Sequence, residues 1–239
     1  MANKPASPWT RRIARAAIAA AVLVLIAGPL IKYGLLGWQA GLAMFALGAI
    51  LAGIGGIICL VAVLRRRGGL LTVVAAAAGI AGLAVPVGIV VNAGNKPPIH
   101  DITTDTANPP QFEAINADVR GPNTNTTGYD PAITPKQQAA YPKLKPLVIA
   151  RTPADAFELA VGAAMQQGWT IVAKDAAAGR IEATDTVPWW GFKDDVVVRL
   201  TPDGAGTRID VRSNSRVGQG DLGVNAKRIS DYLARIGDA

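Results

Sequence analysis

WQAGLAMFALGAILAGIGGIICLVAVL, residues 38–64, followed by Arg65-Arg66-Arg67, decides how this chain is to be read. Gln39 is the only strongly polar side chain in the run. At about 1.5 Å of rise per residue the run exceeds the roughly 20 residues that cross about 30 Å of hydrocarbon. A helix satisfies its own backbone in lipid, so the many Gly and Ala are tolerated there. The stretch therefore predicts a transmembrane helix.

Two further spans flank it. Ile13 to Ile31 is apolar between Arg15 and Lys32, which are close enough to its ends to reach head groups. Leu70 to Val91 is uncharged, with Thr72 its polar exception. Residues 1–95 thus form a three-helix transmembrane region. Small residues recur at four-residue spacing, Gly37 to Gly41, Gly48 to Ala52 to Gly56, and Ala78 to Gly82 to Pro86. Such faces pack the spans on one another, or serve an oligomer contact. No charge sits in mid-span, which argues against an ion path.

Orientation follows from the basic residues. Lys4, Arg11, Arg12 and Arg15 precede or open span one and Arg65 to Arg67 fill one short link, against Lys32 alone in the other. The positive-inside rule then predicts a multi-pass protein of the cytoplasmic (inner) membrane, N-terminus inside and C-terminal domain periplasmic or external. A cleaved signal peptide is the competing reading of span one. Arg15 interrupts the apolar stretch and no small-x-small cleavage site follows Pro29, so retention is expected.

The charge divides at the same place. Residues 1–95 hold eight Lys/Arg and no acid, whereas 96–239 hold sixteen Lys/Arg against seventeen Asp/Glu. The net charge of +7 therefore belongs to the membrane flanks. No nucleic-acid partner is expected, because binding phosphates needs a basic surface on the water-facing part. Cys59, the only cysteine, lies inside span two, so the external domain has no disulfide. With His100 the only histidine, a histidine-rich metal site is excluded and no cofactor is expected.

Residues 96–145 are rich in Pro, Asn and Thr and read as a linker partly packed on the domain. Within it, 99–104 is β-branched enough for an edge strand, as is 146–150. Residues 146–239 read as an α+β extracytoplasmic core. A helix starts at Pro153 behind the cap Thr152 and carries Ala156, Phe157, Ala160, Val161 and Ala164 at helical spacing. Strands follow over 169–174, 179–184, 195–200 and 207–213, then an amphipathic helix over 222–236 with Asp221 as cap. The expected fold is an antiparallel sheet of four or more strands covered by two helices, with its alternate polar face open to solvent or a partner.

The densest polar signal runs through Asp194-Asp195 and then Arg212-Ser213-Asn214-Ser215-Arg216, Asp221 and Asn225. Strand alternation and the turn through Gly218 and Gly220 predict one cluster of Asp194, Asp195, Arg212, Ser213, Ser215, Arg216, Asp221 and Asn225. It serves either to bind a polar ligand or as a structural network. No catalytic residue is assigned.

These same strings, with Gly168-Trp169-Thr170-Ile171 and Gly179-Arg180-Ile181-Glu182-Ala183-Thr184, resemble the DUF1499 family of uncharacterised bacterial proteins. The likeness spans roughly 97–236, and its densest phrase is Arg-Ser-x-Ser-Arg-x-Gly-x-x-Asp-x-Gly-x-Asn, starting at Arg212. The resemblance implies one unit over this range and supplies no activity. Anchor, polar face and absence of a catalytic constellation together predict a non-enzymatic envelope module that binds another envelope protein or a small polar ligand. The alternative is a membrane-tethered hydrolase or other enzyme with Asp194 or Asp195 as base.

Overall fold

The computed structural model describes residues 5–238, so Lys4 lies outside the described residues. They form two compact units, one up to Gly94 together with Pro188–Gly191, the other over Asn95–Val187 and Phe192 onward.

The first unit holds α1 (Pro8–Lys32), α2 (Trp38–Leu64) and α3 (Leu70–Ala93), all three long and apolar enough to cross a membrane. Helix α1 starts before Ile13 because its start is set by a cap. The Ser7 hydroxyl accepts the Thr10 N–H at 3.1 Å, and Pro8 needs no donor partner there. The small residues are used inside this unit. A Cβ on Gly79 would lie 2.2 Å from the Ala52 carbonyl oxygen and 2.7 Å from Gly56 Cα, so α2 and α3 touch backbone to backbone. One on Gly55 would meet Ala17 of α1 at 2.7 Å. Leu25, Leu47, Leu51, Ile54 and Val73 point outward and are exposed, a surface suited to lipid. Trp189 and Trp190 belong to this unit, edge-on to Phe45 at 5.9 and 5.1 Å between ring centroids.

The second unit is built on a six-stranded antiparallel sheet in the order β1-β6-β5-β4-β3. Strands β3 (Thr170–Asp175), β4 (Arg180–Thr186), β5 (Lys193–Asp203) and β6 (Gly206–Ser215) form a meander, whose last turn is closed by the Asp203–Gly206 pair. Both expected edge segments form strands on the far side of β6. Strand β1 (Asp101–Thr103) pairs with Arg212–Asn214, and β2 (Leu147–Ile149) with Thr207–Ile209.

One sheet face carries the core. Ile181, Ala183, Val196, Val198, Leu200, Ile209 and Val211 are buried with Ala156, Phe157, Ala160 and Ala164 of α6 (Pro153–Gln166) and Ile229, Tyr232 and Ile236 of α7 (Val224–Gly237). The Thr152 hydroxyl caps α6 by accepting the Asp155 N–H. Tyr232 stacks on Trp169 at 4.8 Å and donates its hydroxyl to the Ala160 carbonyl, joining the two helices. Burial raises the Tyr232 phenol well above its ordinary range.

The opposite face departs from expectation. It is covered by the 104–128 stretch, and the cover is not confined to two helices, since α4 (Ala117–Arg120) and α5 (Thr134–Ala140) also contact strands. Glu182 of β4 accepts three successive backbone N–H groups, from Glu113, Ala114 and Ile115 at 2.9, 3.0 and 2.8 Å. A stretch poor in apolar residues is thus held by its backbone. Charged strand side chains supply the partners that a short irregular segment lacks. Gln137 of α5 closes on β1 in the same way, accepting the Thr103 N–H at 3.0 Å and donating to its carbonyl at 2.7 Å.

Candidate functional site

Successive strand residues point to opposite faces, so Asp194 and Asp195 cannot share a cluster. The single convergence predicted for the eight polar residues divides into two, one on each side of the sheet.

On the α7 side, Asn225 is the hub. Its Oδ1 accepts from the Ser213 hydroxyl at 2.7 Å, and its Nδ2 donates to the Ser215 hydroxyl at 2.9 Å and the His100 carbonyl at 3.0 Å. Arg228 lies one turn further along α7 and donates to Asn225 Oδ1, to Ser213 Oγ at 3.1 Å, to Asp194 at 2.5 Å and to Asp185 at 2.7 Å. Asp221 closes the group. Its two oxygens accept the Gly223 and Asn225 N–H groups at 2.9 and 2.7 Å; α7 itself starts at Val224 and not at Leu222, so its N-cap is Gly223 and not the expected Asp221. Burial raises the Asp221 carboxyl above its ordinary value, against the pull of those amides.

On the other side, Asp195 lies between two arginines. Arg216 reaches its two oxygens at 2.9 Å each, Thr184 donates to Oδ1 at 2.7 Å, and Arg120 Nε lies 2.8 Å from Oδ2. That last contact is an ion pair without hydrogen-bond alignment. Arg120 instead directs its terminal nitrogens to the Asn214 side chain at 2.6 Å and the Asn125 carbonyl at 2.7 Å. Burial lowers its pKa. Arg212, fully buried, grips Asp101 with two hydrogen bonds and donates to the Pro110 and Thr127 carbonyls at 3.1 and 2.7 Å. Its guanidinium lies 5.2 Å from the Phe112 ring centroid and 5.5 Å from that of Tyr129.

A family model described as a protein of unknown function, DUF1499, matches residues 101–236. The chain belongs to the DUF1499 family. No curated protein matches the chain.

The DUF1499 phrase beginning at Arg212 now has a physical meaning. Its arginines bind Asp101 and Asp195, its serines and its asparagine bind one another, and its aspartate accepts the Asn225 N–H in the first turn of α7. Its glycines, Gly218 and Gly223, have φ of +88° and +85° in the connecting turn. Asp101, Arg120, Asp185 and Arg228 were missed by sequence reasoning. Arg228 had a signal, three residues after Asn225 and so on the same helix face. Asp101 had a place in the expected 99–104 edge strand but no sign of its partner, and Arg120 had no signal, since it lies in a segment whose composition reads as linker. Among the described residues, no three His, Cys, Asp or Glu side chains are grouped to hold a metal ion.

Proposed function

We propose that this protein is a multi-pass protein of the bacterial inner membrane whose extracytoplasmic DUF1499 domain is a non-enzymatic module that binds another envelope protein. The orientation rests on the basic residues at the start of α1, Arg11, Arg12 and Arg15, and in the α2–α3 link, Arg65 to Arg67, against Lys32. A reporter active only outside the cytoplasm should work when fused at the C-terminus and stay silent when fused after Arg67. The reverse pattern sinks this orientation.

The binding reading is carried by Leu222. This side chain is 53% exposed, and its backbone has φ of +55°, a left-handed conformation that costs a branched residue roughly 1–2 kcal/mol. Val224 beside it is also exposed. An apolar side chain held out at a strained turn is a natural contact point. The polar residues beneath brace that turn: Asp221 and Asn225 from the α7 side, and Asn125, which donates to the Ser215 and Gly218 carbonyls at 2.9 Å each. In this reading the eight residues are the platform and the turn is the site. The enzymatic alternative is weakened because Asp194 and Asp195 are both buried and already engaged by arginine.

A photo-crosslinking residue at position 222 of the full chain in its membrane should give discrete protein adducts. The same residue at Met165, exposed on α6, is the comparison. Equal labelling at the two positions ends the proposal. With the crosslinker moved to the neighbouring exposed Val224, Leu222→Gly should abolish the adduct while keeping or raising stability, because glycine relieves the strained φ.

A further inference from the structure

The helical unit contains a cleft of about 440 Å³ that the reading above does not use. Ile58, Val61, Ala62 and Arg65 line it at helical spacing along α2, so its apolar carbons lie within the span and the guanidinium at the span's end. Arg67 adds a second cation from the α2–α3 link, and Thr10 of α1 a hydroxyl that shares a 2.8 Å hydrogen bond with Ser7. No Asp or Glu precedes Asp101, so the spans and links hold no carboxylate to neutralise these arginines. Arg65 and Arg67 are exposed, so an occupant that complements the whole lining sets negative charge against them and hydrocarbon against Ile58, Val61 and Ala62.

We propose that this cleft is a binding site for one anionic phospholipid, its phosphate held by Arg65 and Arg67 and the start of its acyl chains lying along α2. Arginine suits the role because its planar donors pair with phosphate oxygens two at a time. A free phosphate would satisfy the arginines but leave the apolar lining bare. A zwitterionic lipid would fill the lining but bring its own cation to the same end.

The chain supplies its own control. Arg66 stands between the two, carries the same charge and is exposed as they are, yet lies outside the lining, in a left-handed backbone conformation at φ of +57°. Attraction of anionic lipid to basic residues in general is lost equally from all three positions, whereas a built site distinguishes them.

The test is native mass spectrometry of the full chain released from detergent with phosphatidylglycerol, phosphatidylcholine or inorganic phosphate added. The wild type should retain one phosphatidylglycerol in preference to phosphatidylcholine. Arg65→Gln and Arg67→Gln should each weaken it about tenfold, the scale of one charge-assisted contact, and Arg66→Gln should leave it within about twofold. Ala62→Phe keeps every charge and fills the lining, so it should also release the lipid. A thermal melt of each variant in detergent reports that it is folded. Equal losses at Arg65, Arg66 and Arg67 in folded protein would overturn the proposal, as would retention in Ala62→Phe, equal retention of phosphatidylcholine, or displacement of the lipid by millimolar phosphate alone.

Discussion

Arg212 and Asp101 meet through two parallel hydrogen bonds, Nε to Oδ1 at 2.9 Å and Nη2 to Oδ2 at 2.7 Å, with both side chains out of contact with water. The pair joins the first strand of the domain to its last, and the Phe112 and Tyr129 rings lie against the guanidinium. Removing either partner strands a buried charge, a loss of about 3–5 kcal/mol. Arg212→Ala should therefore lower stability by that order in a denaturant titration of the full chain. Arg212→Lys should recover little, since an ammonium cannot form the fork or stack. A loss below about 1 kcal/mol, the scale of an exposed ion pair, contradicts this assignment.

Glu182 holds residues 113–115 to the sheet by three amides. Glu182→Gln keeps the shape and loses the charge, so those amides should exchange with deuterium faster while the β5–β6 ladder stays protected. Uniform acceleration through the whole sheet would mean that the segment is part of one cooperative core.

Gly79 leaves no room for a methyl group between α3 and the Ala52 carbonyl. Gly79→Ala must push α2 and α3 apart, and a destabilisation of about 1–3 kcal/mol is expected from such overpacking. Gly88, with nothing within 4 Å of an added Cβ, should accept alanine without loss. Comparing the detergent melting temperatures of the two variants checks both.

Asp221 makes stability depend on pH in a defined direction. Its folded pKa is raised, chiefly by burial, so its stabilising share is full below the ordinary aspartate value and is lost as pH climbs through the raised one. Subtracting the pH profile of Asp221→Asn from that of the wild type should leave this downward step. An upward step across the same window reverses the assignment.

The spans and the meander were legible because each has a period: long apolar runs for α1 to α3, alternation for β4 to β6. The helix core positions Ala156, Phe157, Ala160 and Ala164 and the cap Thr152 were legible for the same local reason. The cover over the polar sheet face was not. Pro109-Pro110 and the Asn/Thr run after Gly121 carry too few apolar groups to announce packing, and their order comes from Glu182, Arg212 and Asn214 across the chain. Two clusters were read as one because the eight residues crowd together in sequence. Alternation between Asp194 and Asp195 separates them, and the turn after Gly218 keeps Asp221 on the α7 side of the sheet. Arg120 and Asp101 needed the tertiary structure, since an ion pair between segments that far apart leaves no periodic trace.

Strand β6 pairs with β1, β2 and β5, so the first strand to leave the ribosome waits for the last. Asp101 and Arg212 are 111 residues apart, and until that interval has been synthesised β1 has no neighbour, while residues 113–115 wait for Glu182 and the Pro110 and Thr127 carbonyls wait for Arg212. Closing so long a loop is slow compared with forming the meander. The nascent domain therefore spends most of its synthesis as an exposed chain behind three apolar helices already made, the interval in which a chaperone is most needed and a protease most dangerous.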